Sequence, residues 1–557
     1  MTDSDSTTPT TLCAAFQATA ARHPEAVALR TPGNAVTVTW AEYADRVRDT
    51  AAALAALGVR RGDTLALMMT NRPEFHFLDT AAHHLGAAPF SVYNTAAPQQ
   101  IAHVLRDAGC RIAVCEEQFA ALLTEACADT QVERVLCVDG KPDGTLPLDE
   151  VVADPDFDFD AAWQAVHPDD LLTLIYTSGT TGEPKGVELT HGRMLFTVEA
   201  ANQVIEAGVD DRIVSFLPAA HVADRFASHY LPSVHGTQVT CLADARQLPS
   251  VLPEVRPTVL GAPPGFWRKI MEALTSYAPQ EPDSRRLSAA AGLDAVRFAF
   301  AGAAPISDEI LDFFHRLGVP LGDVWGMSEI GAPGVMQPSG AHRRGTAGKP
   351  LPGLEVTLAE DGELLIRGGS VMRGYHNKPE LTAEALDADG WLHTGDLAEV
   401  DDDGYVRIVG RKKELIINDR GKNMSPTVIE DTVLACCPLA EHAVVIGDGR
   451  KYVVALIALS PPVAEDFAKQ HGLPADPAVL AADPRLRAAL EEGVAQANAK
   501  LSRVEQVKKF AVLPEYWTPG SDVLTPTLKV RRAPIARRYA DRIEALYADD
   551  RSIGAVG

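Results

Sequence analysis

The chain has 557 residues, of which 46% are hydrophobic and 23% are charged, and its formal net charge is −24 at pH 7. This length exceeds the roughly 250–300 residues at which a single core stops growing, so we expect more than one domain. The acidic balance argues against nucleic acid as a partner, because phosphate backbones attract basic patches.

Helical and strand-like segments alternate through the first part of the chain. Helical spacing covers Thr11 to His23 and Ala41 to Leu57, and Val36 to Trp40 alternates like a strand. Strands alternating with helices favour an α/β fold with largely parallel sheets. The other predicted strands are Thr64–Met69, Arg111–Cys115, Leu171–Ile175, Ile213–Phe216, Val239–Leu242 and Phe298–Ala301.

The pattern changes around residues 345–410. The strand-like pieces Leu354–Leu358, Gly362–Arg367 and Tyr405–Val409 are separated by Gly, Asp and Asn turns, which predicts a small antiparallel barrel. The last part of the chain reads as an α+β module with its own strands, Ala443–Ile446 and Tyr452–Ile457. We therefore predict a large domain at 1–411 and a small one at 412–557.

No apolar run approaches the ~20 residues that cross a bilayer, and the amino terminus is polar and acidic. The eight cysteines show neither Cys-x-x-Cys pairs nor metal-finger spacing, which predicts free thiols in a reducing cytoplasm. His83 and His84 lie in an apolar, helix-like stretch, where packing is a better reading than metal binding.

The most informative segment is Tyr176-Thr-Ser-Gly-Thr-Thr-Gly-Glu-Pro-Lys-Gly186, which follows a predicted strand. Its glycines let backbone N–H groups approach an anion, and its hydroxyls and lysine add donors and positive charge. The P-loop pattern Gly-x4-Gly-Lys-Ser/Thr is absent, so we predict a different polyphosphate cradle; the alternative is a flexible polar loop. The cradle residues are Thr177, Ser178, Gly179, Thr180, Thr181, Gly182 and Lys185.

Two further motifs are weak by themselves. In Leu217-Pro-Ala-Ala-His221-Val-Ala-Asp-Arg225 the histidine could border a ligand tunnel, although a packed core histidine is the commoner case. Gly302-Ala-Ala-Pro-Ile306 follows a strand, so its small residues could expose backbone to a flat ligand such as a purine. Read alone, it is a tight turn.

Val324-Trp-Gly-Met-Ser-Glu329 combines an aromatic side chain with hard oxygen ligands. Trp325 offers a face for stacking on a base, and Ser328 and Glu329 offer the oxygens that Mg²⁺ prefers. The alternative is a helix start with a serine cap and an early glutamate.

The stretch from His393-Thr-Gly-Asp396 to Gly410-Arg411 could hold a sugar. An aspartate can accept both ribose hydroxyls and an arginine can brace the sugar or its phosphate, although Asp-Gly turns are common here. Near the carboxyl end, Thr525-Pro-Thr-Leu-Lys529 places a lysine after a proline-bearing turn, where an ordinary surface lysine is the alternative.

Together and in this order, the motifs resemble those of the acyl-adenylate-forming superfamily over essentially the whole chain. That superfamily includes acyl-CoA synthetases, peptide-synthetase adenylation domains and beetle luciferases. The segments Leu217–Arg225, Arg256-Pro-Thr-Val259, Gly410-Arg-Lys-Lys-Glu-Leu-Ile-Ile417 and Gly421-Lys-Asn423 resemble bacterial long-chain fatty acyl-CoA synthetases. This chain has Ser328 and Trp325 where the family usually has threonine and tyrosine.

The resemblance implies ATP-dependent formation of an acyl-AMP from a fatty acid, with Mg²⁺, followed by transfer to coenzyme A. It implies phosphate binding by Thr177 to Lys185, metal binding by Glu329 with Thr177, and a catalytic role for Lys529, with Lys185, Glu329 and His221 also catalytic. The implied nucleotide-binding residues are Gly302, Ala303, Ala304, Trp325, Gly326, Met327, Ser328, Asp396, Ile408 and Arg411.

The resemblance also implies that the small domain rotates about a hinge at Lys413. Gly421, Lys422 and Asn423 then line the coenzyme A channel. The implied acyl pocket comprises His221, Val222, Arg225, Gly261, Gly265 and Phe266. Pro263-Pro-Gly-Phe-Trp267 stands where long-chain members usually show Val-Pro-Arg-Val-Trp, which leaves the chain length open.

Several alternatives remain open at this stage. The acid could be medium-chain or aromatic, and the acceptor could be a carrier protein or an amine. The family also includes light-producing oxygenases, which light output would reveal. A non-catalytic nucleotide-binding scaffold would be expected to lack Lys185, Glu329, Asp396 or Lys529, and all four are present. We expect no stable membrane anchor, although fatty substrates are compatible with transient membrane contact.

Overall fold

The computed structural model describes residues 8–177, 183–277, 284–304, 306–420, 422–518, 521–525 and 529–548. The first of these ranges alternates helices and strands. Its helices are α1 (Leu12–Arg22), α2 (Trp40–Ala56), α3 (Pro73–His84), α4 (Pro98–Ala108), α5 (Glu117–Cys127) and α6 (Phe159–Gln164). Its strands are β1 (Val27–Arg30), β2 (Thr37–Thr39), β3 (Thr64–Met68), β4 (Ala88–Ser91), β5 (Ile112–Cys115), β6 (Arg134–Cys137), β7 (Leu146–Pro147) and β8 (Leu171–Thr177).

The next part of the chain continues the alternation. Its helices are α7 (His191–Ile205), α8 (Val222–Asp224), α9 (Leu231–His235), α10 (Leu248–Val255), α11 (Pro264–Tyr277), α12 (Ser284–Ala290) and α13 (Asp308–Arg316), with a π-helical turn at Arg225–Tyr230. Its strands are β9 (Lys185–Thr190), β10 (Arg212–Ser215), β11 (Gln238–Cys241), β12 (Val259–Ala262), β13 (Phe298–Ala301), β14 (Leu321–Met327), β15 (Ala332–Met336) and β16 (Lys349–Pro350).

Three sheets organise this large domain. Strands β4-β3-β5-β6-β7 form a parallel sheet, and β10, β11 and β1 run parallel with β2 antiparallel at the edge. Strands β12, β13 and β14 are parallel, and β15 and β16 extend that sheet antiparallel. The predicted α/β class with largely parallel sheets is confirmed.

The segment predicted as a small barrel is antiparallel. Its elements are β17 (Leu354–Leu358), β18 (Glu363–Gly368), β19 (Gly374–Tyr375), α14 (Pro379–Ala385), β20 (Leu392–Val400) and β21 (Val406–Arg411). Strands β17-β18-β20-β21 form a four-stranded sheet, whereas β19 pairs with β9, which also pairs with β8. Strand β19 therefore connects this segment to the predicted phosphate loop.

The small domain is an α+β module. Its strands are β22 (Ile416–Ile417), β23 (Asn423–Met424), β24 (Ala440–Ile446), β25 (Val453–Leu459) and β26 (Val507–Val512). Its helices are α15 (Pro426–Cys436), α16 (Pro461–His471), α17 (Pro477–Ala482), α18 (Pro484–Lys500), α19 (Arg532–Arg538) and α20 (Ala540–Ala548).

Strand β25 shows how the small domain builds its core. Its seven residues are all buried, and alternate side chains point to opposite faces of a strand. Ala455 and Ile457 join the apolar cluster that includes α15 and α18, while Leu456 and Ala458 join the cluster that includes Trp517 and α19. Both faces of this sheet are therefore covered, which explains a continuous rather than alternating apolar run.

Local signals account for several element boundaries. Thr11 caps α1 through its side chain, and Thr39 and Glu42 form a capping box at the start of α2. The predicted helices and strands in this region are confirmed with ends shifted by one or two residues. In the described parts of the chain, every helix is too short or too polar to cross a membrane. The eight cysteines are free, as predicted.

Candidate active site

Thr177 and Lys185 face each other across the β8–β9 hairpin. They are the last residue of β8 and the first of β9, and they pair directly in the antiparallel register. The predicted cradle residues between them, Ser178, Gly179, Thr180, Thr181 and Gly182, lie outside the described residues. The hairpin therefore places the lysine at the same end of the sheet as the loop it was predicted to complete.

Tyr375 joins Lys185 to Glu329. Its ring centroid lies 3.7 Å from the Lys185 Nζ, and its hydroxyl donates a 2.8 Å hydrogen bond to Glu329 Oε1. Burial lowers the pKa of Lys185, although the Glu329 carboxylate opposes this shift. Sequence reasoning missed Tyr375, because it lies on a two-residue strand whose partners are distant in sequence. The Arg-Gly-Tyr segment before a turn was the available signal.

Asp396 is held by two side chains. Its Oδ2 accepts a 2.8 Å hydrogen bond from the Trp325 indole, and its Oδ1 lies 3.0 Å from the Arg411 Nε. Asp396 and Arg411 are direct cross-strand partners in β20 and β21. Burial raises the pKa of Asp396, and the Arg411 guanidinium opposes the shift. The structure therefore brings together the two residues that were predicted to hold one sugar, and Ile408 on β21 packs against the same apolar cluster as Trp325.

Trp325, which was predicted to offer a stacking face, is largely buried. It is only 8% exposed and belongs to the central apolar cluster of the large domain. Its observed contact is the hydrogen bond that orients Asp396. The neighbouring Gly326 is exposed and lies at a bulge in β14.

The turn after β13 has an unusual backbone. Ala303 adopts φ +71°, a left-handed conformation that is uncommon for a residue with a Cβ. A Cβ at Gly302 would approach Val324 Cγ1 to 2.9 Å, so glycine is needed there. Ala303 and Ala304 are exposed, which leaves this strained turn accessible to a ligand. Ser328 and Glu329 begin a 3₁₀ turn after β14, near the predicted helix start.

His221 caps the short helix α8. Its Nδ1 accepts the Ala223 backbone N–H at 3.2 Å, so in the neutral ring the proton resides on Nε2. Burial and the nearby Lys529 charge lower the pKa of His221 to about 4. This side chain is therefore a neutral hydrogen-bond donor at physiological pH.

Arg225 was predicted to line the acyl pocket, but it is fully buried within a polar cluster. Its guanidinium lies 2.6 Å from Asp79 Oδ2 and donates to Tyr230 and Ser91. The Asp79 carboxylate neutralises the charge of Arg225 within this cluster, so the structure favours a packing role for Arg225. Val222, also assigned to that pocket, is buried in the large-domain core.

Asp79, His83 and His229 bring three potential metal ligands together. Both histidine Nε2 atoms lie 3.0–3.1 Å from Asp79 Oδ1, while Arg225 occupies the other oxygen. Arg225 holds the pKa of Asp79 below its ordinary value despite burial. A divalent cation would face this buried guanidinium, so the geometry favours an Arg225–Asp79 ion pair over a metal site, in line with the packing prediction for His83.

The remaining acyl-pocket candidates lie on β12 and α11. The Phe300 ring covers Gly261, since a Cβ there would lie 2.2 Å from the ring. Gly265 is exposed, with open space at its Cβ position. Phe266 packs edge-on against Phe216 with ring centroids 5.2 Å apart. Phe300, which sequence reasoning missed, therefore narrows the space beside Gly261.

Lys529 lies where the two domains meet. Its side chain is accessible, but surrounding protein and the Arg411 charge lower its pKa, while Asp396 and Glu329 oppose the shift. Its charge also acts on His221. The predicted catalytic lysine of the small domain therefore lies within electrostatic range of four large-domain residues, Glu329, Asp396, Arg411 and His221.

Salt bridges bracket Lys413. On one side, the Lys412 Nζ lies 2.5 Å from Asp361 and 3.0 Å from Glu363, both in the large domain. On the other side, Glu414 pairs with Arg532 of the small domain at 3.3 Å. The chain is thus anchored to one domain before Lys413 and to the other after it. The Lys413 charge also lowers the pKa of Lys185.

The segment predicted for coenzyme A forms the β22–β23 hairpin. Asn418 Oδ1 accepts the backbone N–H groups of Arg420 and Lys422, which shapes the turn. Lys422 is exposed, Asn423 begins β23, and Gly421 lies outside the described residues.

Comparison with known proteins decides the family. The AMP-binding enzyme family matches residues 16–376, and the AMP-binding enzyme C-terminal domain matches residues 413–551. The chain belongs to the AMP-binding enzyme family.

Two mycobacterial relatives of this AMP-binding enzyme support that assignment. It is 46% identical over 452 residues to a Mycobacterium tuberculosis protein carrying the name fatty-acid–CoA ligase fadD11, covering 73% of this chain and 79% of the relative. It is 33% identical over 559 residues to the long-chain-fatty-acid–CoA ligase FadD15 of Mycobacterium bovis, covering 92% of each. Its fold is similar to Bacillus subtilis O-succinylbenzoate coenzyme A synthetase in complex with ATP and magnesium, with a TM-score of 0.71, 23% identity and coverage of 93% and 98%.

Proposed function

We propose that this enzyme activates a fatty acid with ATP and transfers the acyl group to coenzyme A. The products are acyl-CoA, AMP and pyrophosphate. The identity to ligases named for fatty acids supports this activity, and the relative named for long-chain acids supports a long aliphatic substrate. ATP, Mg²⁺ and coenzyme A are the required small molecules.

One observation carries the proposal. Lys529 of the small domain interacts electrostatically with Glu329, Asp396, Arg411 and His221 of the large domain. A cation delivered there can neutralise charge that develops as a carboxylate meets a phosphate. The arrangement suits adenylation, because ATP is a polyanion and the fatty carboxylate is also an anion.

In the first step, an oxygen of the fatty carboxylate attacks the α-phosphorus of ATP. The new bond joins that oxygen to phosphorus, and the bond from the α-phosphorus to the bridging oxygen breaks, releasing pyrophosphate. Lys185 and the loop that begins at Thr177 bind the β- and γ-phosphates. Lys529 bridges the carboxylate and the α-phosphate, and the Nε2–H of His221 donates a hydrogen bond to these reacting groups. Positioning and charge neutralisation supply most of the acceleration of such steps.

The nucleoside occupies the surface between the strained turn and the Asp396 carboxylate. Gly302, Ala303 and Ala304 present backbone to adenine, together with Gly326 and Met327. Asp396 accepts the ribose hydroxyls and Arg411 braces the sugar, with Ile408 packed beside them. Trp325 acts here by orienting Asp396, since its indole N–H is bound to that carboxylate.

Glu329 is the residue that would hold Mg²⁺, with Thr177 and Ser328 as further oxygen donors. Glu329 is 7% exposed, and its carboxylate accepts a hydrogen bond from Tyr375 at one oxygen, which leaves further oxygen lone pairs for a hard cation. When bound, Mg²⁺ would neutralise phosphate charge.

In the second step, the coenzyme A sulfur attacks the adenylate carbonyl carbon. The C–S bond forms, the thiol proton leaves, and the bond from the carbonyl carbon to the AMP oxygen breaks. Rotation about Lys413 removes Lys529 and brings Gly421, Lys422 and Asn423 to the channel. The salt bridges on both sides of Lys413 support this hinge position.

The acyl chain lies beside His221, Gly261, Gly265 and Phe266. The open space at Gly265 supports room for a substrate, whereas Phe300 limits it at Gly261. A cytoplasmic location is also part of the proposal, supported by eight cysteines without disulfides.

The deciding experiment separates the two half-reactions. Lys529→Ala is expected to reduce acyl-dependent ATP–pyrophosphate exchange at least ~100-fold, because the developing charge loses its partner. Thioester formation from supplied acyl-AMP is expected to remain. Lys508→Ala, at an exposed lysine of the same domain, is the control. Unchanged exchange in Lys529→Ala would refute the assigned role, and acyl transfer only to an amine or carrier protein would replace coenzyme A as acceptor.

A further inference from the structure

The segment that carries Lys529 is held by its own backbone on one side. The Thr525 N–H donates to the Lys529 carbonyl at 2.9 Å, and the Lys529 N–H donates to Thr525 Oγ1 at 3.0 Å. Leu524 and Val530 form an antiparallel bridge, and the Arg531 N–H donates to the Val523 carbonyl. These contacts join Thr525 to Lys529, and Val523 and Leu524 pack into the apolar cluster that includes Leu456 and Trp517.

Arg532 adds a charged attachment to the small domain three residues after Lys529. Its two terminal nitrogens lie 2.7 and 2.5 Å from the two oxygens of Glu430 on α15, a bidentate arrangement. Its Nε lies 3.3 Å from Glu414, the first residue past the bracketed Lys413. One guanidinium thus joins the Lys529 turn, helix α15 and the start of the small domain.

The Glu430 side of this contact is rigid. Glu430 is 6% exposed, and its Oε1 also accepts the Val445 backbone N–H at 2.7 Å, which fixes the carboxylate between α15 and β24. Burial alone would lower the pKa of Arg532, but Glu430 and Glu414 raise it above its ordinary value. Arg532 therefore stays charged throughout the range in which the enzyme can be assayed.

We infer that Arg532 is a positioning residue for adenylation: through Glu430 and Glu414 it fixes the Lys529 turn to the small domain, so that the domain delivers the lysine to one place. Because all three residues of this contact follow Lys413, they move together when the domain rotates. The inference rests on the proposed role of Lys529 in the first half-reaction.

Arg532→Gln is expected to lower the kcat of ATP–pyrophosphate exchange roughly 10–100-fold, because a displacement of about 1 Å can cost that much. KM for ATP should change less than about threefold, since the nucleotide contacts lie in the large domain. Thioester formation from supplied acyl-AMP should stay within about twofold of the unmodified enzyme. A residue needed only for folding would lower both half-reactions together.

Arg532→Lys keeps the charge but loses the bidentate geometry, so an intermediate loss of exchange is expected. If Arg532→Gln does not fold, Arg532→Lys still tests the positioning role, because Glu430 keeps a cationic partner in that variant. Arg487→Gln is the matched control: Arg487 pairs with Glu491 within helix α18 of the same domain. Its exchange rate should match the unmodified enzyme.

Lys529→Ala separates a failure of the role proposed for Lys529 from a failure of the role proposed for Arg532. If Lys529→Ala retains exchange, the proposed function of the lysine fails. If Lys529→Ala loses exchange while Arg532→Gln and Arg532→Lys keep it, the lysine role stands and the positioning inference is overturned. Equal losses of both half-reactions in Arg532→Lys would also overturn it.

Discussion

Tyr375 donates its hydroxyl to Glu329 at 2.8 Å from a strand of only two residues. The same ring faces the Lys185 ammonium at 3.7 Å. The Tyr375 side chain thus lies between Lys185, which is assigned to phosphate, and Glu329, which is assigned to metal. Without it, lysine and glutamate could pair with each other and withdraw from their ligands.

Tyr375→Phe removes the hydroxyl and keeps the ring. Exchange is expected to fall ~10–150-fold, since a hydrogen bond to a charged group contributes roughly 1.5–3 kcal/mol, and the Mg²⁺ concentration for half-maximal rate should rise. Tyr375→Ala should lose about tenfold more, because the cation–π contact is lost as well. Tyr405→Phe, whose hydroxyl donates to the Ala341 carbonyl, is the control. Wild-type Mg²⁺ dependence in both Tyr375 variants would contradict this reading.

His221 should not titrate near its ordinary value. Burial and Lys529 lower its pKa to about 4, so the folded state resists a proton that the unfolded state accepts near pH 6.5. Its stabilising contribution is full above pH 6.5 and falls as the pH drops to about 4, by at most ~3 kcal/mol. Unfolding measurements from pH 4 to 8 on the native chain and His221→Gln should show this difference at the acidic end.

The same histidine allows a test of its tautomer. His221→Gln places an amide N–H near Nε2, whereas His221→Asn places its amide near Nδ1. Exchange should therefore survive better in the glutamine variant, by about tenfold if a single hydrogen bond in the transition state is at stake. Better activity in the asparagine variant would place the important contact on the Nδ1 side.

Phe300 is expected to set acyl selectivity beside Gly261. Phe300→Ala should raise kcat/KM for longer or bulkier acids relative to short ones, within the ~10–200-fold range that apolar pockets achieve. A panel of acids from C2 to C18 with benzoates measures this shift. Gly261→Ala should be destabilised, because its Cβ would meet the Phe300 ring, whereas Gly265→Ala should be tolerated. An unchanged acid profile in Phe300→Ala would remove Phe300 from the pocket.

Lys413→Pro tests the hinge. Proline restricts φ to about −65°, so rotation at this residue should be blocked while the present arrangement persists. Adenylation should stay within about threefold, and thioester formation should fall at least ~100-fold. Lys413→Ala removes the same charge without restricting φ and should retain both steps. Normal thioester formation in the proline variant would move the pivot elsewhere.

Much of the fold follows from local patterns. Alternating and continuous apolar runs predicted the helices and strands, because burial on one or both faces leaves a period in the sequence. The order of motifs predicted the family, which the comparisons confirm over residues 16–376 and 413–551. The sequence also assigned Asp396 and Arg411 to one sugar, but their direct pairing across β20 and β21 is seen only in the structure.

Other features depend on contacts between distant segments. Trp325 offered an aromatic side chain in the sequence, but only the packed structure shows that it is largely buried and that its N–H is bound to Asp396. Arg225 carried a charge toward a predicted pocket, but Asp79, 146 positions earlier in the chain, neutralises it in the core.

Residue types alone thus predicted which chemistry this chain carries: hydroxyls, glycines and a lysine for phosphate, carboxylates for metal and sugar, and a late lysine for charge. Tertiary structure decided which of those groups are free to act. Tyr375, Phe300 and Arg532 gain their importance from partners in other strands or helices, and no local period encodes such contacts. The physical reason is that side-chain availability depends on what packs against it in three dimensions.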